Sequence, residues 1–208
     1  MNKITIIGCG PGARECVTLE AFAEIARAET VIGTDHLFAL FPDTKAERIV
    51  VRGYREETIE AIQQRWGRRV ALLVTGDPGL ASLASAVIQH FGIDACRVLP
   101  GISSVQVAFA RLGLSWEGAR IISAHAATPA FDVDSLLCES KIAVLTGAAG
   151  AMPWVTSLVR KLGEKWRFVI AQDLTLQTER ISDVKAEELE ALPQPMRAVV
   201  VCYRKSIT

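Results

Sequence analysis

The sequence has no net charge to speak of: 23 lysines and arginines stand against 23 aspartates and glutamates. A balanced chain sets up no overall field towards nucleic acid or an anionic membrane, so neither is an expected partner, while a local basic patch stays open. Cysteine pairing is missing as well. The five cysteines, Cys9, Cys16, Cys96, Cys138 and Cys202, are odd in number, widely scattered and form no C-x-x-C pair. That argues against a disulfide framework and a zinc site and fits free thiols in a reducing cytoplasm. There is no internal repeat and no low-complexity tract. The first apolar run is broken at once by Gly8, Gly10, Pro11 and Gly12 and followed by Arg14 and Glu15, which does not suit a signal peptide. No Ser-His-Asp order, nucleotide P-loop or metal-ligand cluster stands out, so no metal is expected.

What is present is enough apolar material for a sizeable core. With 208 residues, half of them hydrophobic, the chain can form one large or two small domains, and it reads as a soluble cytoplasmic protein. Short β-branched or apolar runs at 4–7, 30–34, 49–52, 70–74 and 96–99 predict strands. Helical periodicity predicts helices from a Thr18 cap to about 28, over 58–66, over 80–90, and from Ser103 or Ser104 to 112. Strands alternating with helices imply a mainly parallel α/β sheet covered on both faces. The alternation pauses at SWEGA (115–119), which places a boundary between domains 1–115 and 120–208. In the second half, strands are expected at 121–123, 141–145, 168–171, 179–183 and 198–203. Helices are expected at 134–139, 153–162 and 186–192, with Pro153 at a first helical position. The last two strands lie close in sequence, which suggests a mixed sheet.

GCGPG (8–12) looks like the start of a dinucleotide fingerprint, but its spacing is G-x-G-x-G and Pro11 has no N-H where pyrophosphate would need one. Asp35, after the second strand, keeps a nicotinamide reading open. An ordinary tight turn is the plain alternative. Two further loops at carboxyl ends of strands, TGDPG (75–79) and PGISS (100–104), are also rich in Gly and Pro, and such loops collect along one edge of a parallel sheet, where ligands bind. Asp77 is the sole charged residue between 70 and 93. It reads either as the cap of the helix beginning near Leu80 or as a partner for a ligand hydroxyl or ammonium. His125 is a substrate or proton-transfer candidate and equally a structural histidine. Arg14, Arg52, Arg55 and Arg120 are candidate partners for an anionic ligand.

Taken together, GCGPG, TGDPG, PGISS, the S-x-H at Ser123 to His125 and KIAVLTG (141–147) resemble the tetrapyrrole methyltransferases of corrin and sirohaem synthesis over essentially the whole chain. TDHLFALFP (34–42), HFGIDACRVLPGISSVQ (90–106) and DLTLQTERI (173–181) are most similar to the branch that methylates carbon 5 of cobalt-precorrin-7. The resemblance implies a tetrapyrrole methylase fold of two α/β domains, a homodimer, and S-adenosylmethionine bound in a cleft between the domains. It also implies a corrin-type substrate. Pro11, Thr75, Gly76, Asp77, Leu80, Ser103, Ser104, Thr146 and Leu174 would then border the methyl donor. His125, Arg14, Arg52 and Arg55 would face the substrate, and no catalytic base is assigned. Relatives often have glycine where this chain has Ala126 and an aromatic residue after G-D-P where it has Gly79-Leu80. A decarboxylating methylase fused to the carbon-5 enzyme in some organisms would here be a separate partner. Another methylase of the family, acting on uroporphyrinogen, ribosomal RNA or a diphthamide precursor, is the alternative, as is a non-catalytic binding subunit that keeps the fold.

Overall fold

The computed structural model describes residues 4–130, 132–192 and 197–207. They form two compact units, Met1–Ser103 and Ser104–Thr208. Among the described residues no helix is long and apolar enough to cross a membrane.

The first unit runs β1 (Ile4–Gly8), α1 (Leu19–Arg27), β2 (Thr30–Gly33), α2 (Asp35–Phe38), β3 (Glu47–Val50), α3 (Arg55–Gln63), β4 (Val70–Val74), α4 (Ala84–Phe91) and β5 (Cys96–Leu99). Its sheet is wholly parallel in the order β3-β2-β4-β1-β5. Side chains alternate across it. Ile4, Ile6, Val70, Leu72 and Val74 pack with Ala61 and Ile62 of α3 and Ala84 and Val87 of α4. Ile7, Val31, Ala71 and Leu73 pack with Ala21 and Ile25 of α1 and Leu37 and Phe38 of α2. Helices on both faces are why VALLV is apolar without interruption.

Several boundaries differ from expectation. The β3 strand starts at Glu47, not 49, because it pairs from Thr30↔Glu47 onward at the sheet edge. There Glu47 is held by Arg65, Arg68 and the Thr30 hydroxyl. The α3 helix starts at Arg55, not 58. Its first turn is acidic, with Glu56 and Glu57, so apolar periodicity marks only the buried part that follows. The α4 helix starts at Ala84, not 80; Leu80 still belongs to a turn closed on Asp77 O, and Ala81 has φ +49°.

The second unit runs α5 (Ser104–Leu112), β6 (Arg120–Ala124), β7 (Lys141–Thr146), α6 (Ala151–Leu162), β8 (Trp166–Gln172), β9 (Arg180–Asp183), α7 (Ala186–Glu190) and β10 (Ala198–Arg204). The division between units thus falls at the start of α5, ahead of SWEGA, and α5 lies against β10. The sheet order is β6-β7-β10-β8-β9. It is mixed, since β6 and β7 are parallel and the other pairs antiparallel. The mixing comes from β10 inserting between β7 and β8, not from pairing of the last two strands. One face buries Ile122, Ile142, Val144, Ile170 and Val200 against Met152, Val155, Leu158 and Val159 of α6 and Leu189 of α7. Instead of a helix at 134–139 there is a single 3-10 turn, Val133–Leu136, started by the Asp132 side chain. Only Leu136 of that turn is buried, so nothing extends it. Pro153 is the third residue of α6, still within the turn whose N-H groups have no helical acceptor.

Candidate functional site

The carboxyl ends of β1, β4 and β5 carry the three glycine-rich loops, and the loops are fastened to one another. Gly76 N donates to Gly10 O at 2.8 Å and Gly10 N to Gly76 O at 3.3 Å, an antiparallel bridge beyond the parallel ladder. Gly101 fits between them. A Cβ on Gly101 would lie 2.4 Å from Gly76 O and 2.7 Å from the Gly8 carbonyl carbon, and one on Gly8 would lie 2.6 Å from Gly101 N. The glycines therefore let the loops approach each other as well as leaving bare backbone along the edge.

Asp77 completes the junction. Its Oδ1 accepts from Gly79 N at 2.8 Å and its Oδ2 from Gly101 N at 3.0 Å. The capping alternative does not hold, because α4 begins at Ala84, whose N-H is taken by Ser82 Oγ at 3.2 Å and not by Asp77. What the carboxylate does is tie the TGDPG loop to the PGISS loop. Pro11 follows the bridged Gly10, and Ser103 is buried with its Cα 3.9 Å from where a Gly76 Cβ would be. Thr75 is exposed and Leu80 half-buried on the same loop as Asp77. Pro11, Thr75, Gly76, Asp77, Leu80 and Ser103 thus share one edge, whereas Ser104 opens α5 in the second unit.

A dinucleotide would need a helix N-terminus at the end of GCGPG. The loop instead enters the bridge with Gly76 and then a 3-10 turn, Arg14–Cys16. The α1 helix starts only at Leu19, and its free Ala21 N-H is taken by the Thr18 hydroxyl at 3.2 Å. Asp35 is an exposed residue opening α2. The nicotinamide reading loses its geometric basis.

One residue at this edge escaped the sequence reading. His36 Nδ1 lies 3.0 Å from Thr34 Oγ1 and His36 Nε2 lies 3.2 Å from Thr75 Oγ1. The imidazole therefore spans the ends of the neighbouring strands β2 and β4. The only available signal was a histidine in the short TDHL segment just past a strand end.

The arginines are dispersed. Arg14 follows β1 with its guanidinium 5.0 Å from the centre of the Phe22 ring. Arg52 follows β3, pairs with Glu57 at 3.4 Å and lies over Tyr54. Arg55 is exposed at the start of α3. Arg120 begins β6, at the amino end of that strand.

In the second unit, the parallel neighbours β6 and β7 end at Ala124 and Thr146 and lead into His125 and Gly147. His125 is exposed, with Nδ1 3.4 Å from Thr146 O. A Cβ on Gly147 would lie 2.6 Å from that nitrogen, so glycine is what admits the histidine. The Thr146 hydroxyl is buried and committed to the backbone: it accepts from Ala198 N at 2.9 Å and donates to Ala198 O at 3.2 Å. Leu174, also buried, stands between Asp173 and Thr175, which have φ of +49° and +71° without being glycine. That strained turn is held by Glu179, whose carboxylate accepts from Thr175 N at 2.6 Å and from Arg111 at 2.8 and 3.4 Å.

The Arg111 guanidinium and the Thr175 N-H hold the Glu179 carboxyl below its ordinary pKa. A carboxyl depressed in the folded state contributes stability above its unfolded pKa and loses it as pH falls through the folded value. Melting curves should therefore show Glu179→Gln less stable than the parent near neutrality, the gap closing on acidification below the usual carboxylate range. A gap independent of pH would show that the ion pair is not its source.

Among the described residues no group of three or more His, Cys, Asp or Glu is placed to hold a metal ion. Comparison with known proteins agrees with the two-unit α/β architecture. The family model described as Tetrapyrrole (Corrin/Porphyrin) Methylases matches residues 3–190. A cobalt-precorrin-7 C(5)-methyltransferase of Salmonella typhimurium is 28% identical over 199 residues, 95% of this chain and 98% of that one. A solved precorrin-6Y methylase of cobalamin biosynthesis from Archaeoglobus fulgidus is 26% identical, with a TM-score of 0.76 over 98% of each chain. The uroporphyrin-III C-methyl transferase of Thermus thermophilus, solved with S-adenyl homocysteine, shares the fold at a TM-score of 0.73 and 19% identity, over 97% of this chain and 92% of that one. With nearly its whole length matched and its fold shared, this chain belongs to the tetrapyrrole (corrin/porphyrin) methylases.

Proposed function

We propose that the protein is an S-adenosylmethionine-dependent C-methyltransferase acting on carbon 5 of cobalt-precorrin-7, or of the corresponding metal-free precorrin, in cobalamin synthesis. The observation that carries the proposal is the match, over almost the full length of both chains, to the Salmonella carbon-5 enzyme.

The first unit's loop edge fits the donor. S-adenosylmethionine carries no phosphate, so a loop with Pro11 and no helix N-terminus lacks nothing it requires. Its ribose hydroxyls and amino group need acceptors, and a carboxylate offers about four lone-pair positions, of which the Asp77 bonds to Gly79 and Gly101 use two. Pro11, Thr75, Gly76, Asp77, Leu80 and Ser103 are the proposed donor contacts of this edge. Ser104, Thr146 and Leu174 stay as donor contacts carried from the family motifs. Since the Thr146 hydroxyl is already committed, that residue would act through its backbone or methyl group. When bound, the donor supplies an electrophilic methyl group on a sulfonium. What the chain must do is hold the acceptor carbon in line and keep water out, which needs no protein nucleophile. Arg14, Arg52 and Arg55 are proposed partners for the acidic side chains of the macrocycle, and His125 for the macrocycle itself. A cytoplasmic homodimer, with a separate decarboxylating methyltransferase as a docking partner, completes the proposal.

The test is incubation with cobalt-precorrin-7 and S-adenosylmethionine carrying a carbon-13 methyl group, with the new methyl located by NMR. Label at carbon 5 is expected. Label on another carbon would refute the position while leaving the family intact, and no transfer to any tetrapyrrole would overturn the activity. Calorimetric titration with NAD should give no binding.

A further inference from the structure

We infer that His36 is a positioning residue for the methyl donor, acting through Thr75: its ring links the end of β2 to the first residue of the TGDPG loop. The inference rests on the proposed donor site and adds a residue to it.

The argument starts from the order β3-β2-β4-β1-β5. On the β1 and β5 side, the loop after β4 is fixed by the Gly10–Gly76 bridge and by the Asp77 bond to Gly101. Both fixings act on backbone N-H groups. On the β2 side, the contact is the bond between His36 Nε2 and the Thr75 hydroxyl, while His36 Nδ1 meets the Thr34 hydroxyl. A neutral imidazole has one donating and one accepting nitrogen, and each hydroxyl both donates and accepts. The series Thr34, His36, Thr75 therefore closes in either tautomer. In either, the ring takes one position on the Thr75 oxygen and so limits how the hydroxyl presents its hydrogen and remaining lone pairs.

The energetics separate this role from a structural one. His36 and Thr75 are exposed and Thr34 is half-buried, and changes at such surface positions move stability little. A hydroxyl held in one orientation beside a ligand matters to binding, because the bound ligand need not pay to order it. His36 is accordingly expected to affect donor affinity without affecting the melting temperature.

Calorimetric titration with S-adenosylhomocysteine, together with methyl-transfer kinetics and melting curves, tests this on the full chain and four variants. His36→Ala is expected to weaken binding about fivefold, the worth of an ordinary net hydrogen bond. It should raise the donor KM by a similar factor and leave kcat within about twofold. His36→Gln, whose amide also both donates and accepts, should restore most of the affinity. Thr75→Val should lose at least as much as His36→Ala, and the double variant no more than Thr75→Val alone. Parental affinity in His36→Ala, or additive losses in the double variant, would overturn the inference. So would a fall in melting temperature that accounts for the lost affinity. If the parent protein binds no S-adenosylhomocysteine, the proposed donor site itself fails and takes this inference with it.

Discussion

Gly101→Ala is expected to lower the melting temperature by about 10 °C and to abolish donor binding. The new methyl group would stand 2.4 Å from Gly76 O and 2.7 Å from the Gly8 carbonyl carbon, both backbone atoms that no rotamer change can move aside. Overpacking of this kind costs about 3 kcal/mol, and each kcal/mol is worth roughly 2–4 °C in a chain of this size. The three loops would have to part, and the edge proposed to receive the donor would part with them. Gly113→Ala provides the control. It has φ +65° but nothing within 4 Å of the new Cβ, so it should cost only about 1–2 kcal/mol for the strained backbone and leave donor binding unchanged. Differential scanning calorimetry and titration with S-adenosylhomocysteine would check both variants. Equal losses in the two would mean that close approach of the loops is not what Gly101 provides.

Asp77→Ala is expected to weaken donor binding by more than tenfold while the protein stays folded. The stability loss should be modest, about 1–3 kcal/mol, because Gly79 N is exposed and regains water while half-buried Gly101 N is left unpaired. The affinity loss should be larger, since the variant removes the carboxylate and releases the tie between two of the loops. Asp77→Asn separates those contributions. Its amide keeps one acceptor oxygen for a glycine N-H but turns a donating group towards the other, and it carries no charge to meet the donor's ammonium. Affinity unchanged in both variants would leave Asp77 as a loop tie alone.

The strands of both units were largely legible, and the reason is burial. Val70 to Val74 are apolar throughout, and Ile4 to Ile7 apolar but for Thr5, because helices cover both faces of their sheet, and the Thr18 cap marked the start of α1. Helix starts without an apolar face were not legible. The first turn of α3 is exposed and acidic, and α4 starts only at Ala84, whose N-H is taken by Ser82 Oγ. At the site, composition pointed to the right loops but not to what their glycines face. Gly8, Gly76 and Gly101 meet because β1 sits between β4 and β5, an order that spacing along the chain does not reveal. The isolation of Asp77 signalled a carboxylate in need of donors without naming Gly79 and Gly101. His36 gave less still, because its partner Thr75 is 39 residues away and the contact exists only once β2 and β4 are neighbours.

The place of β10 bears on the order in which the chain can fold as it is made. The first sheet has all its strands once Leu99 has emerged, and parallel neighbours β4, β1 and β5 can close on one another from that moment. The second sheet has no such freedom. Until residues 198–204 emerge, β7 and β8 lack the strand that joins them, the Thr146 hydroxyl lacks its Ala198 partner, and the sheet exists only as two separate strand pairs, β6 with β7 and β8 with β9. Domains fold as units during synthesis, the N-terminal one first. On the ribosome, a finished first unit would therefore precede a second whose middle strand arrives after all its other strands, leaving the inner edges of β7 and β8 open for that interval.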